Sequence, residues 1–142
     1  VAQDLRPDVV GSVLELPFAD KSFDVVCAFE VLEHLPFDQF DRALTELARV
    51  SRTHVVISLP HFGPMFSLFL KIPFLPKLQF ALKIPFHQKH VFNGQHYWEI
   101  GKHGYSVSLI RSKISAYGKI MRDFVPFGSQ YHHFFVLKLQ NA

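Results

Sequence analysis

Apolar positions change their period several times along the 142 residues, and each change predicts an element. Asp8–Val13 is a short β-branched run of the kind that forms a buried strand. Leu16–Ser22 is turn-rich, and Pro17 forbids its continuing that strand. Phe23–Phe29 is apolar on both faces apart from Asp24, which predicts a second strand in a parallel sheet covered by helices on either side. From Asp38 the period becomes helical: Phe40, Ala43, Leu44, Leu47 and Ala48 share one face, with Asp38 placed to cap the first turn. Thr53–Leu59 then predicts a third strand, stopped by Pro60. Strand, helix and strand in this order make a βαβ unit, so the fold class read from the pattern is α/β.

The rhythm breaks over 60–92, where five prolines and seven phenylalanines fall and the pentapeptide LKIPF occurs twice, at 70–74 and 82–86. Two copies are too few for a solenoid; they read as short amphipathic turns, each ended by its proline. Lys71, Lys77 and Lys83 interrupt any apolar span long enough to cross a membrane. Further on, Leu109, Ile110, Lys113, Ile114 and Tyr117 set a helix over 106–117, with Gly118 placed to end it in a left-handed turn. Lys119–Phe127 and Tyr131–Leu139 then predict two strands of an antiparallel hairpin.

Composition narrows the class. Half the residues are apolar and only 19% are charged, which excludes a disordered chain. A lone cysteine, Cys27, excludes a disulfide scaffold and fits a reducing, cytoplasmic compartment. Residues 1–50 carry four basic side chains against ten acidic ones, whereas 51–142 carry eleven against only Glu99 and Asp123. Such a division suits two tasks in one domain, and its basic half favours an anionic partner.

The run GSVLELPFADKSFDVVCAFEVLEHL, followed by an amphipathic helix, Arg49-Val50 and a strand ending in Ser58-Leu59-Pro60, resembles the middle of a class I S-adenosylmethionine-dependent methyltransferase. The resemblance is strong over 8–60 and weaker over 100–139, where the closing hairpin matches a last strand that runs against the others. It implies a partial Rossmann-like methyltransferase fold, comprising strands 3 to 7 of a seven-stranded sheet in the order 3-2-1-4-5-7-6. Residues 1–142 then form a single partial domain, with 61–92 an apolar substrate-cover insertion within it. The family's glycine-rich cofactor loop has no counterpart here, and no apolar strand precedes Asp4 to make it the acidic residue that holds the ribose. An N-terminally truncated domain with weak or no cofactor binding of its own is the expectation that follows.

Carried over residue by residue, the resemblance implies that Ser12, Val13 and Leu14 lie against the adenine of S-adenosylmethionine, though family members usually have an acidic or amide residue in place of Ser12. It likewise implies that Ala28, Phe29 and Glu30 face the methionine end of the cofactor. His34 is the candidate catalytic acid or base, and His61, His96, Tyr97 and Trp98 are candidates for the substrate side. The spacing of Glu30, Glu33 and His34 would bring the three together on one helical face. It resembles the arrangement that ligates a divalent cation in small-RNA 2′-O-methyltransferases, where His61 would be a further ligand; the same LEHL also occurs in metal-independent members, and no metal is assigned. His87, His90 and His103 match no zinc spacing, and His132 and His133 read as edge or surface residues.

The activity implied is methyl transfer from S-adenosylmethionine to a small-molecule or lipid-like acceptor. The apolar, cationic loop suits a hydrophobic substrate with an anionic group, or else a peripheral membrane contact. Two alternatives stand beside this: a non-catalytic remnant acting as an interaction module, and an RNA methyltransferase using Glu30, Glu33 and His34. A nucleic-acid partner is disfavoured, because 60–92 is too apolar and too poor in arginine to track phosphates. Nothing in the pattern sets an oligomeric state.

Overall fold

The chain is seen in a computed structural model that describes residues 7–84 and 88–140. Asp4, His87 and the Pro85-Phe86 end of the second LKIPF copy lie outside the described residues. Four strands form the main sheet: β1 (Phe23–Phe29), β2 (Ser51–Pro60), β5 (Gly118–Phe124) and β6 (His132–Leu139), in the order β1-β2-β6-β5. β1 and β2 are parallel, with Ala28 opposite Ile57, while β6 runs antiparallel to both β2 and β5. This is the expected α/β arrangement, and its order is that of strands 4-5-7-6 in the sheet implied by the sequence.

Helix α1 (Phe40–Val50) crosses from β1 to β2, as a parallel pair requires. Its stripe of Phe40, Ala43, Leu44, Leu47 and Val50 is buried against the inward row of the sheet, which includes Ile57, Phe135 and Leu137. Helix α2 (Val107–Ser115) is capped by Ser106, whose Oγ accepts from the Leu109 N–H, and buries Ile110 and Ile114 in the same core. Tyr117 Oη donates to the Asp41 carbonyl at 3.0 Å and Lys113 Nζ pairs with the Asp41 carboxylate at 2.5 Å, so both helices lie on one face. Across the other face Phe29, Phe134 and Phe124 form a ring-to-ring row, and Phe29 and Phe124 are exposed.

Several expectations need correction. No strand forms over 8–13: those residues are mostly exposed, and only a Ser12–Glu15 bridge is present, because Val9, Val10 and Val13 without a neighbouring strand cannot satisfy a ladder. One edge of β1 is therefore unpaired among the described residues, and Val25, Cys27 and Phe29 are exposed rather than covered on both sides. Asp38 lies inside a 3-10 turn (Phe37–Gln39), and Gln39 takes the cap position of α1.

The LKIPF segments are not helical turns either. They fall on an antiparallel hairpin of β3 (Met65–Leu70) and β4 (Leu78–Lys83), with Phe69 paired to Gln79. Prolines at 73 and 76 are confined to its tip, where no ladder N–H is needed. Gly118 does not end α2 in a left-handed turn; it opens β5, and a Cβ there would run into the Lys138 carbonyl across the ladder. His133 is buried in the inward row of a central strand, not at an edge.

The link over 14–20 is held by side chains of α1: Arg42 donates to the Leu14 carbonyl and Glu46 accepts from the Leu16 N–H. Arg49 donates to the carbonyls of Leu16 and Phe18 and to the carboxylates of Glu46 and Asp20. Those bonds to Arg49, with the Leu16 N–H behind them, hold the Glu46 carboxyl down at about 2.

Candidate functional site

The carboxyl ends of β1 and β2 and the start of β6 meet at one edge of the sheet, where ligands bind in open α/β folds. At the end of β1 the chain turns sharply at Glu30, whose φ of 51° is left-handed and strained for a side-chain-bearing residue. The kink is held on both sides of the residue. Its N–H donates to the Ser58 carbonyl at 3.2 Å and to Ser58 Oγ at 3.1 Å, and Ser58 Oγ donates to Glu30 Oε1 at 2.8 Å.

A 3-10 turn (Leu32–His34) follows and points Glu33 inward. Glu33 is fully buried, and neither carboxyl oxygen has a hydrogen-bond partner among the described residues. Burial pushes its carboxyl up to about 7; its own backbone N–H offsets part of that, while Glu30 and Glu99 add to it. His34 Nε2 stands 3.9 Å from Glu33 Oε1, and its Nδ1–H donates to the Gln95 carbonyl at 3.0 Å. That bond leaves the lone pair on Nε2, facing the carboxyl group.

His96 closes the cluster from the far side of the chain. Its ring meets that of His34 edge-on at 5.1 Å, and one donor atom each from Glu33, His34 and His96 falls within 4.8 Å of the others. His96 Nδ1–H donates to Glu99 Oε1 at 3.2 Å, and Tyr131 Oη donates to the same oxygen at 3.3 Å. Burial and the neighbouring Glu99 push the Tyr131 phenol well above its ordinary range, so it stays a donor. Lone pairs from a carboxylate and two imidazoles thus converge with no donor between them. Either one shared proton or one cation satisfies such a set.

The residues singled out in the sequence separate here. Glu33, His34 and His96 come together. Glu30 does not join them; its carboxylate is turned to Ser58 and lies 3.8 Å from His132 Nε2. His61 does not join the cluster either; its ring faces β6, with Nδ1 bonded to His133 Nδ1 at 2.9 Å. Trp98 is fully buried among Phe37, Phe40 and Tyr105 and donates from Nε1 to the Leu35 carbonyl at 3.1 Å, so it cannot meet a substrate. Tyr97 is partly exposed and rests on Phe92. Ala28 is buried in the core, while Phe29 is exposed at the strand end. Val13 and Leu14 pack on the edge of the core, and Ser12 Oγ accepts from the Leu14 N–H. His90 Nε2–H supports the His96 carbonyl at 2.8 Å, and His103 lines a cavity.

Sequence reasoning missed a second buried set. His133 Nε2 bonds Asp123 Oδ1 at 2.5 Å, Asp123 pairs with Arg111, and His61 stacks on His133. Burial and the charges of His133 and Lys83 push the His61 imidazole down to about 3. For Asp123, burial would raise the carboxyl, but the bonds from Arg111 and His133 outweigh it and the net direction is down. A signal existed: a histidine in an inward strand position and a rare acidic residue in the basic half.

Residues 2–58 match the family of the methyltransferase domain. Among solved structures, the PH0226 protein from Pyrococcus horikoshii OT3 shares 13% identity at a TM-score of 0.57, over 93% of this chain and 58% of that one. The 1,6-didemethyltoxoflavin-N1-methyltransferase of Burkholderia thailandensis, solved with 1,6-didemethyltoxoflavin and S-adenosylhomocysteine, shares 14% at a TM-score of 0.59, over 92% of this chain and 49% of that one. The chain thus spans about half the length of those proteins. No curated protein matches it. Residues 2–58 are thus similar to the methyltransferase domain, and the sheet shares the α/β fold of these two structures.

Proposed function

We propose that the protein carrying this chain transfers a methyl group from S-adenosylmethionine to a small organic or lipid-like acceptor at the carboxyl edge of the sheet. S-adenosylmethionine supplies an electrophilic methyl group on a sulfonium. This chain's share is to place the acceptor in line with that methyl and to take the proton the acceptor loses. In this reading Ser12–Leu14 and Ala28–Glu30 flank the cofactor. The kinked Glu30, held by Ser58, puts a carboxylate at the strand end, where a positively charged group is favoured.

The observation that carries the reading is buried Glu33, beside His34 and His96 and with neither oxygen hydrogen-bonded among the described residues. His34 Nε2, on a half-exposed ring, takes the acceptor's proton, and Glu33 behind it stabilises the imidazolium that forms. In the balanced step the carbon–sulfur bond breaks, the acceptor–carbon bond forms and the acceptor proton ends on His34. General-base catalysis of this kind is worth about 10²–10⁴-fold.

The test uses the full protein. Calorimetry with S-adenosylhomocysteine reads cofactor binding, and methyl transfer is then compared between the native protein and His34→Gln. Unchanged cofactor affinity with kcat lower by about 10²-fold or more is the expected result. Absence of cofactor binding by the full protein would overturn the reading, and so would an undiminished kcat.

A further inference from the structure

A cavity of about 910 Å³ opens between the β3–β4 hairpin, the amino end of α2 and β5. Its charged groups are unbalanced. Lys83, Lys102 and Arg111 line it with the imidazoles of His61 and His133, against a single carboxylate, Asp123. Arg111 and His133 already occupy that carboxylate. No carboxylate pairs with Lys83 or Lys102 among the described residues: Lys83 Nζ donates to the Gln130 carbonyl at 2.7 Å, and Lys102 Nζ sits 3.4 Å over the Phe62 ring. Burial pushes the Lys83 ammonium down from its ordinary value, which marks a cation taken partly out of water without a counter-charge.

The remaining wall is apolar, formed by Met65, Leu82, Val107 and Phe124. A smaller cavity of about 560 Å³ shares His61 and Lys83 with the first and is also lined by Tyr131. Tyr131 is the residue that donates to Glu99 in the proton-handling cluster. The two cavities therefore adjoin at His61 and Lys83, and Tyr131 links the wall of the smaller one to Glu99.

We infer that this cavity binds a small amphipathic organic anion, its carboxylate or phosphate head between Lys83 and Lys102 and its apolar body against Leu82, Val107 and Phe124. The anion site stands on the cavity alone. That its occupant is the methyl acceptor rests on the methyl-transfer reading.

The closing experiment measures binding only, without cofactor, so its failure is separable from failure of that reading. Sodium octanoate, octyl phosphate, 1-octanol and octylammonium chloride are each titrated into the ¹⁵N-labelled protein and followed by amide shifts. Saturable binding of one or both anions, centred on the amides of Lys83, Lys102 and Val107, is the expected result. Octanol and octylammonium should bind at least 10-fold more weakly. Comparing octanoate with octyl phosphate tells which head group the site prefers. The double variant Lys83→Met, Lys102→Met should lose at least 10-fold of the anion affinity while keeping its thermal midpoint. Octanol binding as tightly as octanoate would overturn the inference, and so would undiminished anion affinity in a folded double variant. If the double variant does not fold, the four-ligand comparison on the native protein decides alone.

Discussion

Glu33→Gln isolates the cost of holding a carboxyl group in a dry site. In the fold this group titrates at about 7, against 4.5 when freely solvated. Below pH 4.5 both the folded and the unfolded chain hold the proton, and no penalty exists. Between 4.5 and 7 the unfolded chain releases it while the folded chain keeps it, so stability falls as pH rises. Above 7 both are ionised and the penalty is complete. At 1.36 kcal/mol per pH unit it amounts to about 3 kcal/mol. Glutamine keeps the shape without the charge, so the substitution should be near neutral at pH 4.5 and stabilising by up to about 3 kcal/mol at pH 8. The assay is urea unfolding of both proteins in EDTA at pH 4.5, 6 and 8. A difference between them that stays constant across that range would refute the reasoning, because it would mean that the buried carboxyl gains no charge as pH rises.

Three further outcomes follow from the packing. Gly118→Ala should destabilise by about 1–3 kcal/mol, since the new methyl meets the Lys138 carbonyl across the β5–β6 ladder; thermal melting checks it. Ser58→Ala removes both the acceptor and the donor that hold the Glu30 kink, and chemical unfolding should show a loss of about 1–3 kcal/mol. Phe74→Ser, at a fully exposed hairpin tip, should leave the midpoint unchanged to within about 0.5 kcal/mol; a larger loss would show that the tip packs on the domain.

What was legible in the sequence was whatever repeats at a fixed period. The stripe of α1, the β2 run and the closing β5–β6 pair each bury a row of side chains, and burial leaves a pattern. The β3–β4 hairpin does not, because most of its side chains on both faces are exposed and its prolines suggested helix stops instead. Residues 8–13 had the composition of a strand and lacked a neighbour to pair with, a matter of tertiary context that local propensity does not record. In the site, Glu33 and His34 were visible as a pair because they are adjacent in the chain. Their partner His96 arrives through a loop, and the spacing that seemed to unite Glu30 with them assumed a helix where a left-handed kink is found.

The division of charge along the chain becomes a division in space at the reacting edge. Glu30 and Glu33, from the acidic half, stand at the end of β1, where the proposed cofactor would present its sulfonium. Lys83, Lys102 and Arg111, from the basic half, line the cavity beyond Tyr131. Methyl transfer brings a cationic donor against an electron-rich acceptor and consumes the donor's charge. An edge with carboxylates on one side and unpaired ammonium groups on the other orients the two reactants before they meet. The same polarity opposes exchange of places, because an anionic acceptor is repelled from Glu30 and a sulfonium from Lys83. On the proposed reading, selection of partner and alignment of the reaction would then come from one electrostatic gradient across the carboxyl edge of the sheet.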